Sequence, residues 1–180
     1  MAEDIEGLAD LLTVAARKAF GRLFRDYPEQ YYYCALLTTG AAHCPAVTAW
    51  SKETLAEEVA KRQLHCDSDL KWNGIESPRY IYAEEEFDAV RRVFLDRTSL
   101  VSNATSGERL EEYRLRFEAM VSAMLTLSDE GMFGMEAARN EIVVGVEVVP
   151  PDWTNTERAK RLNPPEALVE WLTEAAEPLG

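Results

Sequence analysis

Between residues 4 and 25 the chain places Ile5, Leu8, Leu12, Ala15, Ala19 and Leu23 at spacings of three and four. That is the apolar stripe of an amphipathic helix. Pro28 ends it, because a proline disfavours the helical conformation in the residue before it. The run YYYCALLT at 31–38 lacks that period, and its aromatic and apolar density reads as a strand. After the turn-rich TGAAHCPA comes a second, shorter run at 47–50. Two short strands joined by a tight loop predict an antiparallel pair. Ser51 stands where it caps a helix over 51–64, whose apolar side carries Leu55, Val59 and Leu64.

The pattern breaks over 66–83. Asn73-Gly74 and Ser77-Pro78 are turn signals, and Tyr80, Ile81 and Tyr82 suit a short edge strand. A helical stripe resumes after Glu84 with Phe87, Val90 and Phe94. Residues 101–108 read as a loop, in which Thr105 followed by Glu108 forms a capping box. The long helix beyond it carries Leu110, Tyr113, Phe117, Met120, Met124 and Leu127. GMFG at 131–134 is a hinge-like turn before a short helix. The segment EIVVGVEVV at 141–149 then sets Ile142, Val144, Val146 and Val148 on one face, and Val143, Gly145 and Val149 on the other, with Glu147 among them. A strand apolar on both faces is expected at the centre of a sheet.

The polar stretch WTNTERAKRLNPPEAL at 153–168 contains two capping patterns, Thr154 with Glu157 and Asn163 with Glu166, the second with Pro164 in the first helical turn. It predicts one helix ending near Leu162 and another over 164–176, with Leu168, Val169 and Leu172 turned inward and Trp153 and Trp171 packed. Arg158 and Arg161 fall outside this capping scheme. An arginine here has the reach to clamp the carboxylate of Glu147, or one on a neighbouring helix.

These elements predict an α+β protein, a single domain over 1–180, with a small, mostly antiparallel sheet packed by several amphipathic helices. The middle strand is expected at 141–149, with 31–38 and 47–50 beside it. Charge narrows the partners. Nineteen basic residues against 32 acidic ones leave a formal −13, a surface that repels phosphate backbones and attracts a basic protein. Nucleic acid is therefore not expected as a ligand. Neither is a membrane, since no apolar run reaches bilayer length. The acidic start lacks the basic region of a signal peptide, and Cys34, Cys44 and Cys66 form no CxxC, so a reducing, cytoplasmic setting is expected.

Candidate chemistry is sparse. His43-Cys44 and His65-Cys66 lack the gaps of a tetrahedral zinc site. Cys34 with His43 across a hairpin has the geometry of a nucleophilic pair, although a cysteine inside an apolar strand more often packs as a small hydrophobe. The carboxylates at 57–58, 84–86 and 111–112 read as solvated helix faces. No phosphate-binding or hydrolase motif is present and no cofactor is implied. Two groups remain. Lys71, Trp72, Arg79, Tyr80 and Tyr82 set bases and aromatics in an irregular segment, a composition common in interface anchors. Glu147, Arg158 and Arg161, with Tyr33, would make an enzyme site if their tips converged in a pocket. The first group points to a non-enzymatic protein-binding domain, and the second keeps catalysis as the alternative.

The succession YYYCALLTTG, AWS before an acidic helix, LKW, SPRYIY, EEYRLRFEAMVSAMLTL, GMFG, VEVVPPD and NTERAKRLNP resembles an uncharacterised bacterial family, domain-of-unknown-function family 4303. The likeness runs over 11–172, and Lys71-Trp72, 131–134 and 155–163 are its most specific parts. The family offers no catalytic residue to carry over. The resemblance implies relatives beside polymorphic toxin genes, hence an immunity protein that neutralises a bacterial toxin by direct binding, and the acidic charge adds that such a toxin would be basic. The oligomeric state stays open.

Overall fold

A computed structural model describes residues 2–97 and 105–178. Residues 101–104 of the loop expected at 101–108 lie outside the described residues. Helix α1 (Ala2–Asp26) buries Leu8, Leu12, Ala15, Ala19 and Leu23, as its period requires, with Phe20 beside them. It packs on α4 (Ser106–Asp129), which opens on the complete capping box of Thr105 and Glu108. Phe117, Met120, Met124 and Leu127 face the core, while Leu110, one turn in, is half exposed. Between them come α2 (Lys52–Lys61), capped by Ser51, and α3 (Asp88–Asp96), whose Val90 and Phe94 are buried.

The sheet has three strands, β1 (Tyr31–Thr39), β2 (Ala46–Ser51) and β3 (Val143–Val149), in the order β2-β1-β3. The centre is therefore β1, and 141–149 supplies an edge strand rather than the middle one. β1 pairs with β2 antiparallel, aligning Leu36 with Val47, and with β3 parallel, aligning Ala35 with Gly145. The parallel pairing follows from the long helical crossover that separates β1 and β2 from β3. Tyr32 is an extra residue between the Tyr31–Ser51 and Tyr33–Trp50 pairs. This bulge turns Tyr32 and Tyr33 into the same apolar cluster.

Both faces are covered, which is why β3 reads as a central strand although it lies at an edge. Cys34, Leu36, Val144, Val146 and Val148 meet α1 and α4. Tyr33, Ala35, Leu37, Trp50 and Val143 meet Leu70, Leu168 and Trp171. The edges are covered too. Along β2, Ile81 N donates to Val47 O (3.0 Å), Ser77 Oγ to Ala49 O (2.5 Å), Thr48 Oγ1 to Gly74 O (2.6 Å) and Trp50 Nε1 to Asn73 O (2.8 Å). The expected strand at 80–82 is instead a turn, with Ile81 left-handed at φ 62°.

On the other edge lies α5 (Trp153–Leu162). Its cap is Asp152, which accepts from Thr154 N (2.9 Å), and not Thr154. Asn163 does not cap the next helix. A 3-10 turn (Pro165–Leu168) leads instead into α6 (Val169–Glu174). The turn shifts the phase of the stripe. Leu168 and Trp171 are buried, while Val169, Leu172 and Trp153 remain substantially exposed.

Candidate functional site

Glu147 is the charged member of an otherwise apolar strand. Its side chain lies on the face away from α1 and α4. It folds back along β3, so that Oε1 lies 3.0 Å from where a Cβ on Gly145 would sit. Gly145 is paired with Ala35, so the sheet here carries almost no side chain. Tyr33 leans over this low floor from β1. Its ring is fully buried, and its hydroxyl ends 3.1 Å from the position of a Cβ on Gly74. Any side chain at 74 would also meet Leu37 and Thr48 at 2.9 Å, so only glycine lets residues 66–76 lie this close to the sheet.

Beside this floor, reaching Leu37, Gly74 and Glu147 but not Tyr33, Ala35 or Gly145, is a pocket of ≈ 350 Å³. Trp72 and Trp171 line it, with Glu147 and Asn155, and the carboxylates of Asp69, Glu174 and Glu177 stand around it. Glu147 is half-buried, and among the described residues it has neither an ion pair nor a well-formed hydrogen bond. Burial pushes its carboxyl up from 4.5 to about 7, with the Tyr33 hydroxyl and the Arg158 charge pulling the other way. Burial and the nearby Glu147 raise the Tyr33 phenol well above its ordinary value. The two groups are close enough to shift each other's proton affinity, yet the Tyr33 hydroxyl has no hydrogen-bond partner of ordinary geometry.

The arginines do not join them. Arg158 passes to the α4 side, where its guanidinium lies 4.3 Å over the Phe117 ring. Its Nε donates to Val146 O (2.7 Å) and its Nη2 to Asn155 Oδ1 (2.6 Å). Arg161 clamps Glu118 of α4 through two 2.7 Å bonds, which is the neighbouring-helix option. Of the four residues expected to converge, only Tyr33 and Glu147 do.

Arg158 has a structural partner set instead. Asn163 exchanges two bonds with Val144, accepting from its N and donating to its O, both at 2.7 Å. Asn155 does the same with Val148 at 2.8 and 3.1 Å. With Arg158 on Val146 O between them, α5 supplies the hydrogen bonds that a fourth strand would give the open edge of β3.

The irregular-segment residues divide by position. Lys71 Nζ is held by Glu170 (2.5 Å) and Glu174 (2.9 Å), 5.3 Å from the Trp72 ring, and Trp72 Nε1 donates to Glu174 (2.8 Å). These two residues tie the pocket wall to α6. Arg79 stacks 3.4 Å over Tyr27 and donates to Glu29 (3.0 Å), while Tyr82 donates to Asp26 (2.6 Å), so both anchor to the end of α1. Tyr80 packs, half-buried, on the Tyr33 cluster. Glu174 and Asp69 were not singled out in the sequence, and Trp171 only as a packing group. The i,i+3 spacing of Trp171 and Glu174 is a signal of one shared helix face, but it does not say what that face meets.

Cys34 is buried among apolar groups, and burial pushes its thiol up, the opposite of what a nucleophile needs. His43 Nδ1 instead meets Thr39 Oγ1 at 2.8 Å. Among the described residues no group of three or more His, Cys, Asp or Glu is placed to hold a metal ion, and no helix is long and apolar enough to cross a membrane. No curated protein matches the chain, and no solved structure does. The sequence model of the family described as Domain of unknown function (DUF4303) matches residues 12–164, and the chain belongs to that family.

Proposed function

We propose that this protein acts by binding, and that it engages a basic protein through an acidic face centred on the Trp72–Trp171 pocket. The observation that carries this reading is the pocket itself: two tryptophans surrounded by Asp69, Glu147, Glu174 and Glu177, with no lysine or arginine among the described residues that line it. The formal charge of −13 supports it by speeding the encounter with a cationic partner. A toxin met in the cytoplasm, neutralised by steric occlusion, is the partner that the family resemblance implies, and the acidic charge adds that it would be basic. The test is titration with the purified products of neighbouring genes, together with co-expression. A basic neighbour is expected to bind with an association rate that falls as salt rises, and to lose its toxicity. If no neighbour binds and none is neutralised, the proposal fails.

A second reading rests on Glu147 alone. A carboxyl pushed up to about 7 beside a buried phenol has the proton affinity of a general acid–base. Arg158 and Arg161, occupied elsewhere, take no part in it. It expects a turnover that peaks near neutrality and vanishes in Glu147→Gln, so a broad substrate panel with no Glu147-dependent turnover counts against it.

A further inference from the structure

We infer that a second face of this protein, the groove over Phe24 and Tyr31, pairs two copies of the chain about a two-fold axis. The groove shares no lining residue with the Trp72–Trp171 pocket, so the inference goes beyond the binding reading and does not rest on it. The core reaches the surface here. Phe20 and Phe133 are fully buried, and Phe24 packs against both, with ring centroids 5.9 and 6.4 Å away. The Tyr31 ring lies 4.8 Å beyond Phe24. Phe24, Tyr31, Met132 and Ile142 belong to the core cluster yet stay half-buried, and together they line a groove of ≈ 440 Å³. Met135 stands three residues from Met132 and three from Ala138, both in the lining, and it is 68 % exposed. An apolar knob next to an apolar hollow is what a self-complementary interface requires.

The charges select the occupant. Lys52 follows Ser51, the residue paired with Tyr31, and Glu141 lies two residues before Val143, the residue paired with Tyr33. The two therefore flank Tyr31 on opposite sides, two strand spacings or roughly 10 Å apart. Both are exposed, and among the described residues neither has an ion pair. Glu29, the other charge in the lining, is already held by Ser51, Thr54 and Arg79. A two-fold axis over Tyr31, running across the line from Lys52 to Glu141, sets each Lys52 opposite Glu141 of the other copy. Both ion pairs then form at once, and the two hollows face each other.

Other occupants fit worse. A basic partner would meet Lys52, an acidic one would meet Glu141, and a small apolar ligand would leave both charges unpaired. Elsewhere the surface resists self-association. Two copies at −13 repel each other. The exposed Val169 and Leu172 of α6 stand between the carboxylates of Glu170 and Glu174 in the chain. Over Tyr31 the two unpaired charges cancel, so apolar contact is least opposed there.

The experiment is sedimentation of the whole protein from about 1 to 500 micromolar at roughly 0.15 M salt. A monomer–dimer equilibrium with a midpoint in the micromolar range is expected. Lys52→Glu and Glu141→Lys each set like charges opposite one another twice, and each is expected to weaken the dimer roughly tenfold or more. The double variant exchanges the two charges and restores both pairs, so it should return to within about threefold of wild type. Met135→Asp sets a carboxylate against the apolar hollow and is expected to weaken the dimer by a similar factor to the single swaps. All three positions are exposed, and circular dichroism checks that each variant is folded. A protein that stays monomeric at every concentration overturns the inference. So does a dimer indifferent to the single swaps and to Met135→Asp, because it uses another face. A double variant no tighter than the single swaps also overturns it, because the two charges then do not meet.

Discussion

Glu147 is held where its charged form is disfavoured, and that has a thermodynamic signature. The folded protein binds the proton more tightly than the unfolded chain does. The stabilising contribution is therefore complete below about 4.5 and is lost as pH rises toward about 7. A rise of that size caps the effect at roughly 3 kcal/mol, and the partial exposure of Glu147 to solvent brings it to the order of 1–2 kcal/mol. Glu147→Gln is accordingly expected to be more stable than wild type by that amount at about pH 8 and nearly equal at about pH 5, as read by urea unfolding. Equal stabilities at both values would show that the carboxylate is already well solvated. Glu147 was conspicuous in the sequence as the charge within EIVVGVEVV. Its meeting with Tyr33 was raised there only as a condition, together with two arginines that do not join it. It depends on the parallel register that sets Gly145 beside Ala35, and no local pattern encodes register between strands so far apart in the chain.

At the scale of elements, the covered edge of β3 decides how the C-terminal third is organised. Removing the Asn163 amide leaves Val144 N–H and C=O unpaired at a buried site, and each unsatisfied group costs about 1–3 kcal/mol. Asn163→Ala is expected to lose roughly 2–4 kcal/mol, and the Val144 amide to exchange hydrogen faster than those of β1. Unchanged protection at Val144 would mean that another group covers the edge. The polar stretch at 153–168 was legible as helix, but Asn163 was read as a cap and Asn155 was given no role. An asparagine side chain seeks any nearby backbone, and only the tertiary structure determines which backbone it finds. The same limit explains β3. Apolar residues on both faces report coverage, and they say nothing of whether a neighbouring strand or a helix occupies the edge. The long helices were readable because a period of 3.6 is a local property, as Leu12, Ala15, Ala19 and Leu23 show in α1.

Over the whole molecule, two sets of carboxyl groups oppose each other as pH changes. Burial disfavours ionisation of Glu29, but bonds from Ser51, Thr54 and Arg79 outweigh it and hold the group below its ordinary value. Burial likewise opposes ionisation of Glu112, and Arg97 with Arg116 overcomes it. The Arg161 clamp lowers Glu118. For these groups the contribution is present above their unfolded value and is lost as pH falls through the folded one. Glu147 has the reverse sign and weakens the fold between about 4.5 and 7. The growing negative charge, −13 at neutrality, adds self-repulsion in the same direction. The two windows adjoin near the ordinary carboxylate range, so stability is expected to peak at about pH 5 and to decline gently toward pH 8. Urea unfolding from about pH 3 to 8, at concentrations low enough to avoid association, checks this. Glu147→Gln should keep the acid-side rise, which belongs to Glu29, Glu112 and Glu118, and lose most of the alkaline-side decline. If the wild-type curve climbs steadily to pH 8, the raised affinity of Glu147 for its proton is wrong. If both curves decline alike above pH 5, self-repulsion and not Glu147 governs that limb.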